Sequence, residues 1–103
     1  ILPDFPLQRI GRWWHKDTEI DIVGIHDDEK TILFCEVKWS DLNKTDIARI
    51  TKNLKNKASK VLWHNDNRKE IYCIVGRSIT GVEKSSYKDV ILYDLEDIFK
   101  NCE

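Results

Sequence analysis

Among its 103 residues the chain has no methionine, only two prolines and only four glycines. So little glycine and proline excludes collagen-like, low-complexity and flexible-linker character, and no internal repeat is present. No apolar run approaches the roughly 20 residues that cross a bilayer. No signal-peptide pattern opens the chain, so a cytoplasmic protein without a membrane partner is expected. Cys35, Cys73 and Cys102 are odd in number and far apart, which gives neither a disulfide framework nor the Cys/His spacing of a zinc site. Cys35 and Cys73 lie inside apolar runs, where a free thiol behaves as a small hydrophobe, and a reducing compartment is expected. The phosphate-cradling pattern G-x-x-x-x-G-K-[ST] is missing, so any ATP hydrolysis belongs to other sequence. A translated chain begins with methionine, and its absence predicts a part of a longer protein or a processed product.

What is present is 41% hydrophobic and 34% charged residues, a size and balance for one domain over residues 1–103. The net charge of −1 carries no global nucleic-acid signature. The charges are nevertheless segregated. Residues 44–60 hold six bases, Lys44, Arg49, Lys52, Lys55, Lys57 and Lys60, against one acid, Asp46. Acids gather instead in residues 17–28 and 94–97. An acidic site beside a basic segment suits the handling of a polyanion through a metal. Alone, a basic segment is more often the solvated side of a helix.

Periodicity predicts the order β-β-β-α-β-β-α. Residues 1–7, with Pro3 and Pro6, read as an irregular or extended opening. Strands are predicted at 8–14, 19–25 and 31–39, the last two joined through the acidic turn 26–30 as an antiparallel hairpin. Asn43 or Thr45 caps a helix running to about Trp63, with Ile47, Ile50, Leu54, Ala58 and Val61 on one face. An apolar strand at 70–75, a loop at 81–88 and a strand at 89–93 follow. Asp94 and Asp97 then start a short helix over 94–101. The helical crossover permits parallel pairing of the third and fourth strands. The expected fold class is α/β, with a mixed central sheet and a crossover helix.

Two of these strands carry the chemistry. Glu19-Ile20-Asp21-Ile22-Val23 and Phe34-Cys35-Glu36-Val37-Lys38-Trp39 are apolar runs interrupted by charge. Residues two apart share a face of a strand, so Glu19 is expected to point with Asp21, and Glu36 with Lys38. Ile20, Ile22, Cys35, Val37 and Trp39 then point into a core. Burying such charges without a ligand is costly. Asp21 and Glu36 can hold magnesium or manganese through carboxylate oxygens, with water in the remaining positions and the Val37 carbonyl nearby. A metal so held acidifies a bound water and neutralises phosphate charge. Lys38 can orient or activate that water, or stabilise a pentacovalent phosphate. Glu19 is either a supporting carboxylate or part of a second metal position. The bland alternative is an exposed cross-strand ion pair between Lys38 and Glu36 or Asp21.

Asp21 followed by Glu36-Val37-Lys38 resembles the D-x(n)-(D/E)-x-K signature of the PD-(D/E)XK nuclease superfamily, which includes restriction endonucleases and Holliday junction resolvases. More narrowly, Ile10-Gly11-Arg12-Trp13-Trp14, Glu19 to Gly24 and Glu36-Val37-Lys38-Trp39 are similar to an archaeal domain. That domain is found at the C-terminal end of P-loop ATPases and is assigned to the same superfamily. The resemblance covers residues 8 to about 64 closely and the remainder through strand order. It implies a restriction-endonuclease-like fold and a magnesium-dependent endodeoxyribonuclease. Asp21 and Glu36 would be its metal ligands and Lys38 its catalytic lysine. It also implies an upstream P-loop ATPase domain as partner. Helices at the position of 44–60 often face substrate in the superfamily, which makes Lys52, Lys55 and Arg49 candidate contacts to DNA phosphates. Superfamily members usually place a helix with another acid before the first core strand, and this chain has none there.

Other residues weigh less. Trp13 and Trp14 are adjacent, so one packs inward and the other can stack on a base from the opposite side. His15 and His26 have no partner at ligand spacing, and His64 suits a helix C-terminus. Two other readings stand beside the nuclease: a catalytically silent DNA-binding or regulatory module of the ATPase, and an interaction domain that forms a homodimer through its tryptophans.

Overall fold

Strand β3 (Thr31–Leu42) is the axis of the domain, because Ile32, Leu33, Phe34 and Cys35 are all buried and so need cover on both faces. The computed structural model describes residues 9–101; the expected opening segment 1–7, the strand start at Gln8 and Cys102 lie outside the described residues. β1 (Arg9–His15) and β2 (Thr18–His26) pair antiparallel with each other, and β2 pairs antiparallel with β3. β4 (Lys69–Ile79) joins β3 in parallel, and β5 (Ile91–Tyr93) joins β4 in parallel. The result is one mixed five-stranded sheet in the order β1-β2-β3-β4-β5. Helix α1 (Lys44–Ala58) makes the crossover from β3 to β4, and α2 (Leu95–Asn101) follows β5. Both the mixed sheet and the element order agree with the sequence expectation.

The two faces are covered unequally. Even-numbered β3 residues Ile32 and Phe34 pack with Ile20, Val23 and Ile74 against Ile47, Ile50, Leu54 and Ala58 of α1. Leu33 and Cys35 pack with Cys73 and Val75 on the other face, where Ile98 of α2 provides cover. Beyond Cys35 that cover runs out. Val37 and Trp39, expected in a core, are 39% and 55% exposed.

Asn43, one of two candidate caps for α1, takes the position. It accepts the Asp46 N–H at 2.9 Å, while Asp46 accepts the Asn43 N–H at 3.0 Å. The helix stops at Ala58 rather than near Trp63. The chain tightens there, with Lys60 N–H donating to the Lys57 carbonyl and Val61 N–H to that of Ala58. The freed carbonyls are collected by Arg68. Its guanidinium donates to Ala58, Val61 and Trp63 carbonyls at 2.9, 2.7 and 3.0 Å and lies 5.3 Å from the Phe34 ring centroid. A helix end is thereby satisfied by a side chain that directly precedes the next strand. β3 and β4 also run on beyond their expected ends at Trp39 and Val75, through pairs such as Leu42↔Ile79. Gly76 permits this: a Cβ there would sit 2.7 Å from Leu42 Cδ1.

One irregularity reorganises the β1–β2 hairpin. Gly11 pairs with Val23 but Trp13 pairs with Ile20, so Asp21 and Ile22 together oppose Arg12. This is a β-bulge on β2. It lets Ile20 and Val23 both enter the α1-side core, whereas Ile22 turns to the other face.

Arg68 is almost wholly buried, and its side chain also bonds Glu70 at 2.7 Å. Replacing it by methionine strands those carbonyls and is expected to cost about 3 kcal/mol in urea unfolding, with Arg68→Lys recovering little. A second expectation concerns acid. Asp94 accepts the Asp97 N–H at 3.1 Å and Lys84 Nζ at 3.1 Å. Burial works to raise it, but those bonds outweigh burial and leave its carboxyl below the ordinary value. Its stabilisation is therefore present above the unfolded value, near pH 4, and is lost as pH falls through the lower folded one. Asp94→Asn should lower stability at neutral pH, and the gap to wild type should narrow as pH falls below the ordinary aspartate value.

Candidate functional site

The bulge delivers Asp21 to the edge of β3. Asp21 Oδ2 accepts the Val37 N–H at 2.9 Å, a side-chain bond just past Ile22↔Cys35, where the β2–β3 register begins. The carboxyl groups of Asp21 and Glu36 are close enough that each shifts the other's titration. Glu36 is 7% exposed, and its Oε1 accepts Lys57 Nζ from α1 at 2.9 Å. Asp21, Glu36 and Lys57 thus form one contiguous polar cluster between β2, β3 and α1.

The charges in it are unequal. Burial and the nearby Asp21 carboxyl raise Glu36 above the ordinary carboxylate value, against the opposing pull of Lys57. Burial also works to raise Asp21. Glu36 and the Val37 N–H, with the charges of Lys57 and Arg12, nevertheless leave it lowered. The pair behaves as two acids competing for one proton, which resides on Glu36 when present. Cys35, next to Glu36, is held as a neutral thiol: its hydrogen bond with Cys73 and its burial raise its pKa far above the usual range.

The expected site residues separate into two groups. Asp21 and Glu36 come together, with Val37 bonded to the first of them through its N–H. Lys38 is exposed at the rim and has no ion-pair or hydrogen-bond partner among the described residues, so the cross-strand ion pair is not formed. Glu19 does not point with Asp21 into the cluster. The intervening bulge breaks the alternation, and Glu19 pairs with Arg12 at 3.2 Å on the exposed surface. Among the described residues no group of three or more His, Cys, Asp or Glu is arranged around a common point.

The basic helix is partly neutralised. Arg49 pairs with Asp46 at 3.4 Å, Lys55 with Asp89 at 3.1 Å, and Lys57 with Glu36. Lys52 lines a cavity of about 430 Å³ with Lys44, Lys55, Thr51 and Tyr87. Sequence reasoning missed Lys57 as a site residue. The signal was available: Lys57 lies three residues after Leu54 and four before Val61, so it interrupts the core-facing stripe of α1. Arg12 was missed for lack of any such pattern.

Comparison with known proteins places residues 2–50 in similarity to DUF234, described as archaea bacterial proteins of unknown function. The chain is also 43% identical over 93 residues to the uncharacterized protein MJECL04 of Methanocaldococcus jannaschii. That match takes in 90% of this chain and 20% of the relative, so the chain spans a fifth of the relative's length. No solved structure matches the chain.

If Lys57 is the cation that opposes Glu36 protonation, Lys57→Met should move the Glu36 carboxyl midpoint upward in a carbon-13 NMR titration. Lys38→Met should leave that midpoint where it is.

Proposed function

We propose that this chain is a restriction-endonuclease-like domain that hydrolyses DNA phosphodiester bonds, with magnesium or manganese as cofactor. The observation that carries the reading is the convergence of the Asp21 and Glu36 carboxyl groups beside the Val37 peptide. The donor set fits such a cation: hard carboxylate oxygens from two strands, with solvent free to supply the remaining positions. Asp21 and Glu36 would hold the ion, with the Val37 carbonyl as a further oxygen donor. Bound there, it would supply an acidified water and neutralisation of phosphate charge.

The chain's own residues do the rest. The Val37 N–H fixes the Asp21 carboxylate, so its orientation costs nothing when substrate arrives. Lys57 already opposes protonation of Glu36 and sets a positive charge beside the reacting phosphate. Lys38, exposed at the rim, is positioned to meet the attacking water or the phosphate from the solvent side. Lys52, Lys55 and Arg49 draw the DNA backbone toward α1. Glu19 acts at one remove, by holding Arg12, whose charge lowers Asp21.

A second reading is a silent DNA-binding or regulatory module of a larger P-loop ATPase. The Lys57–Glu36 ion pair favours it, because the acid pair is already compensated within the protein.

Supercoiled plasmid incubated with the full chain and magnesium or manganese should be nicked. Asp21→Asn and Glu36→Gln should each reduce nicking to background, and unchanged nicking in both variants would sink the proposed centre. Manganese calorimetry separates the two readings. Heat lost in Glu36→Gln supports the metal site, whereas no heat with wild type, together with DNA binding, supports the silent module.

A further inference from the structure

The acid pair has a cation of its own. Lys57 Nζ lies 2.9 Å from Glu36 Oε1, and the two side chains are 32% and 9% exposed. The other ion-paired bases of α1 meet more exposed acids, Arg49 at Asp46 and Lys55 at Asp89. Lys57 is thus the α1 base that reaches a buried carboxylate of the sheet. Leu54, one turn before it, and its neighbour Ala58 are buried, so the helix backbone is fixed at this point. Its four-carbon stem keeps rotational freedom, and the partly exposed side chain has a way out to water. Arg12, the other cation that bears on Asp21, is held by Glu19 on the exposed surface.

A buried carboxylate needs a compensating charge, and Lys57 supplies it to Glu36. If Asp21 and Glu36 held a divalent ion with Lys57 still in place, three positive charges would crowd one carboxylate. At separations of a few ångströms in a half-buried site that repulsion is large. Glu36 is compensated by either cation and is not improved by both. The lysine can leave without stranding Glu36 only when another cation takes over, which couples the two events. An ammonium on a long stem is readily hydrated, so Lys57 is the member of the pair that can give way.

We propose that Lys57 is a tethered counter-ion that competes with a divalent cation for Glu36. This rests on the nuclease reading for the identity of the competing ion, and it adds how that same site is regulated. Without the ion, Lys57 keeps Glu36 charged and in place. With the ion, the ammonium is released toward solvent, where a substrate phosphate can take it up.

Manganese binding to the full chain is measured by calorimetry at about pH 8, well above the carboxylate range, so that a proton does not take the lysine's place. Lys57→Met should bind manganese about tenfold more tightly than wild type. Lys57→Arg, which keeps the charge, should stay near wild type, and Glu36→Gln should bind weakly in either background. Without metal, Lys57→Met should melt below wild type, and saturating manganese should close most of that gap. A purely structural role would not raise an affinity. Wild type supplies a test that needs no variant: magnesium should move the Lys57 Cε carbon resonance toward that of Lys52, which is exposed and has no ion-pair or hydrogen-bond partner among the described residues. An unmoved Lys57 signal with magnesium bound overturns the exchange. Manganese binding that is equal or weaker in Lys57→Met overturns the counter-ion and leaves the nuclease reading standing. Manganese held by Lys57→Met but not by wild type, with no plasmid nicking by wild type, supports the counter-ion and removes the nuclease reading alone. No manganese binding by either protein overturns both.

Discussion

The constraint on which the site depends is the extra residue in β2. A regular strand through residues 18–26 would alternate without interruption, and Ile20 and Val23 could not both reach the α1-side core. With Asp21 and Ile22 set together against Arg12, they do. Shifting the register by one residue would exchange the two faces of the strand, so the bulge is anchored by the burial on both sides of it. Its by-product is an aspartate displaced toward the neighbouring strand. There it replaces a ladder bond with a side-chain bond to the Val37 N–H. The acid pair exists because a packing requirement and a backbone donor coincide at one position.

Around that point the sheet is asymmetric. The α1 side is closed by a long apolar helix whose C-terminal carbonyls are gathered by Arg68, itself set between Phe34 and Glu70. A buried guanidinium is tolerable here because each of its donors meets a carbonyl or carboxylate. The α2 side is covered by a short helix, and the distal half of β3 emerges from under it. Lys57 belongs to the closed side and Val37 to the open one, so the acid pair lies at the boundary between a rigid core and an accessible surface. Rigid support from one side and access from the other suit a site that must hold charged groups in fixed positions.

The similarity to DUF234 ends at Ile50 and so takes in Asp21, Glu36 and Lys38 but stops short of Lys57. The similarity to the archaeal relative spans 90% of the chain, so it extends past the segment that the family shares. The carboxyl pair and the helix lysine therefore fall in differently matched parts of the sequence, although they meet in space at 2.9 Å.

The sequence alone determined the element order and the antiparallel hairpin, and narrowed the cap of α1 to Asn43 or Thr45, because each follows from short-range periodicity or local hydrogen bonding. It also singled out Asp21 and Glu36, since charge inside an apolar run is visible without coordinates. What it could not supply was anything dependent on counting residues across strands. The bulged residues of β2, Asp21 and Ile22, are neither glycine nor proline, and only Gly11 on the partner strand adjoins the shift. The end of α1 is gathered by Arg68, ten residues away, and Val37 and Trp39 are left exposed by the packing on the α2 side. Lys57 reached Glu36 only through the crossing of helix over sheet. Tertiary structure decided these points because each balances burial on one element against bonds from another, and no single segment carries both terms.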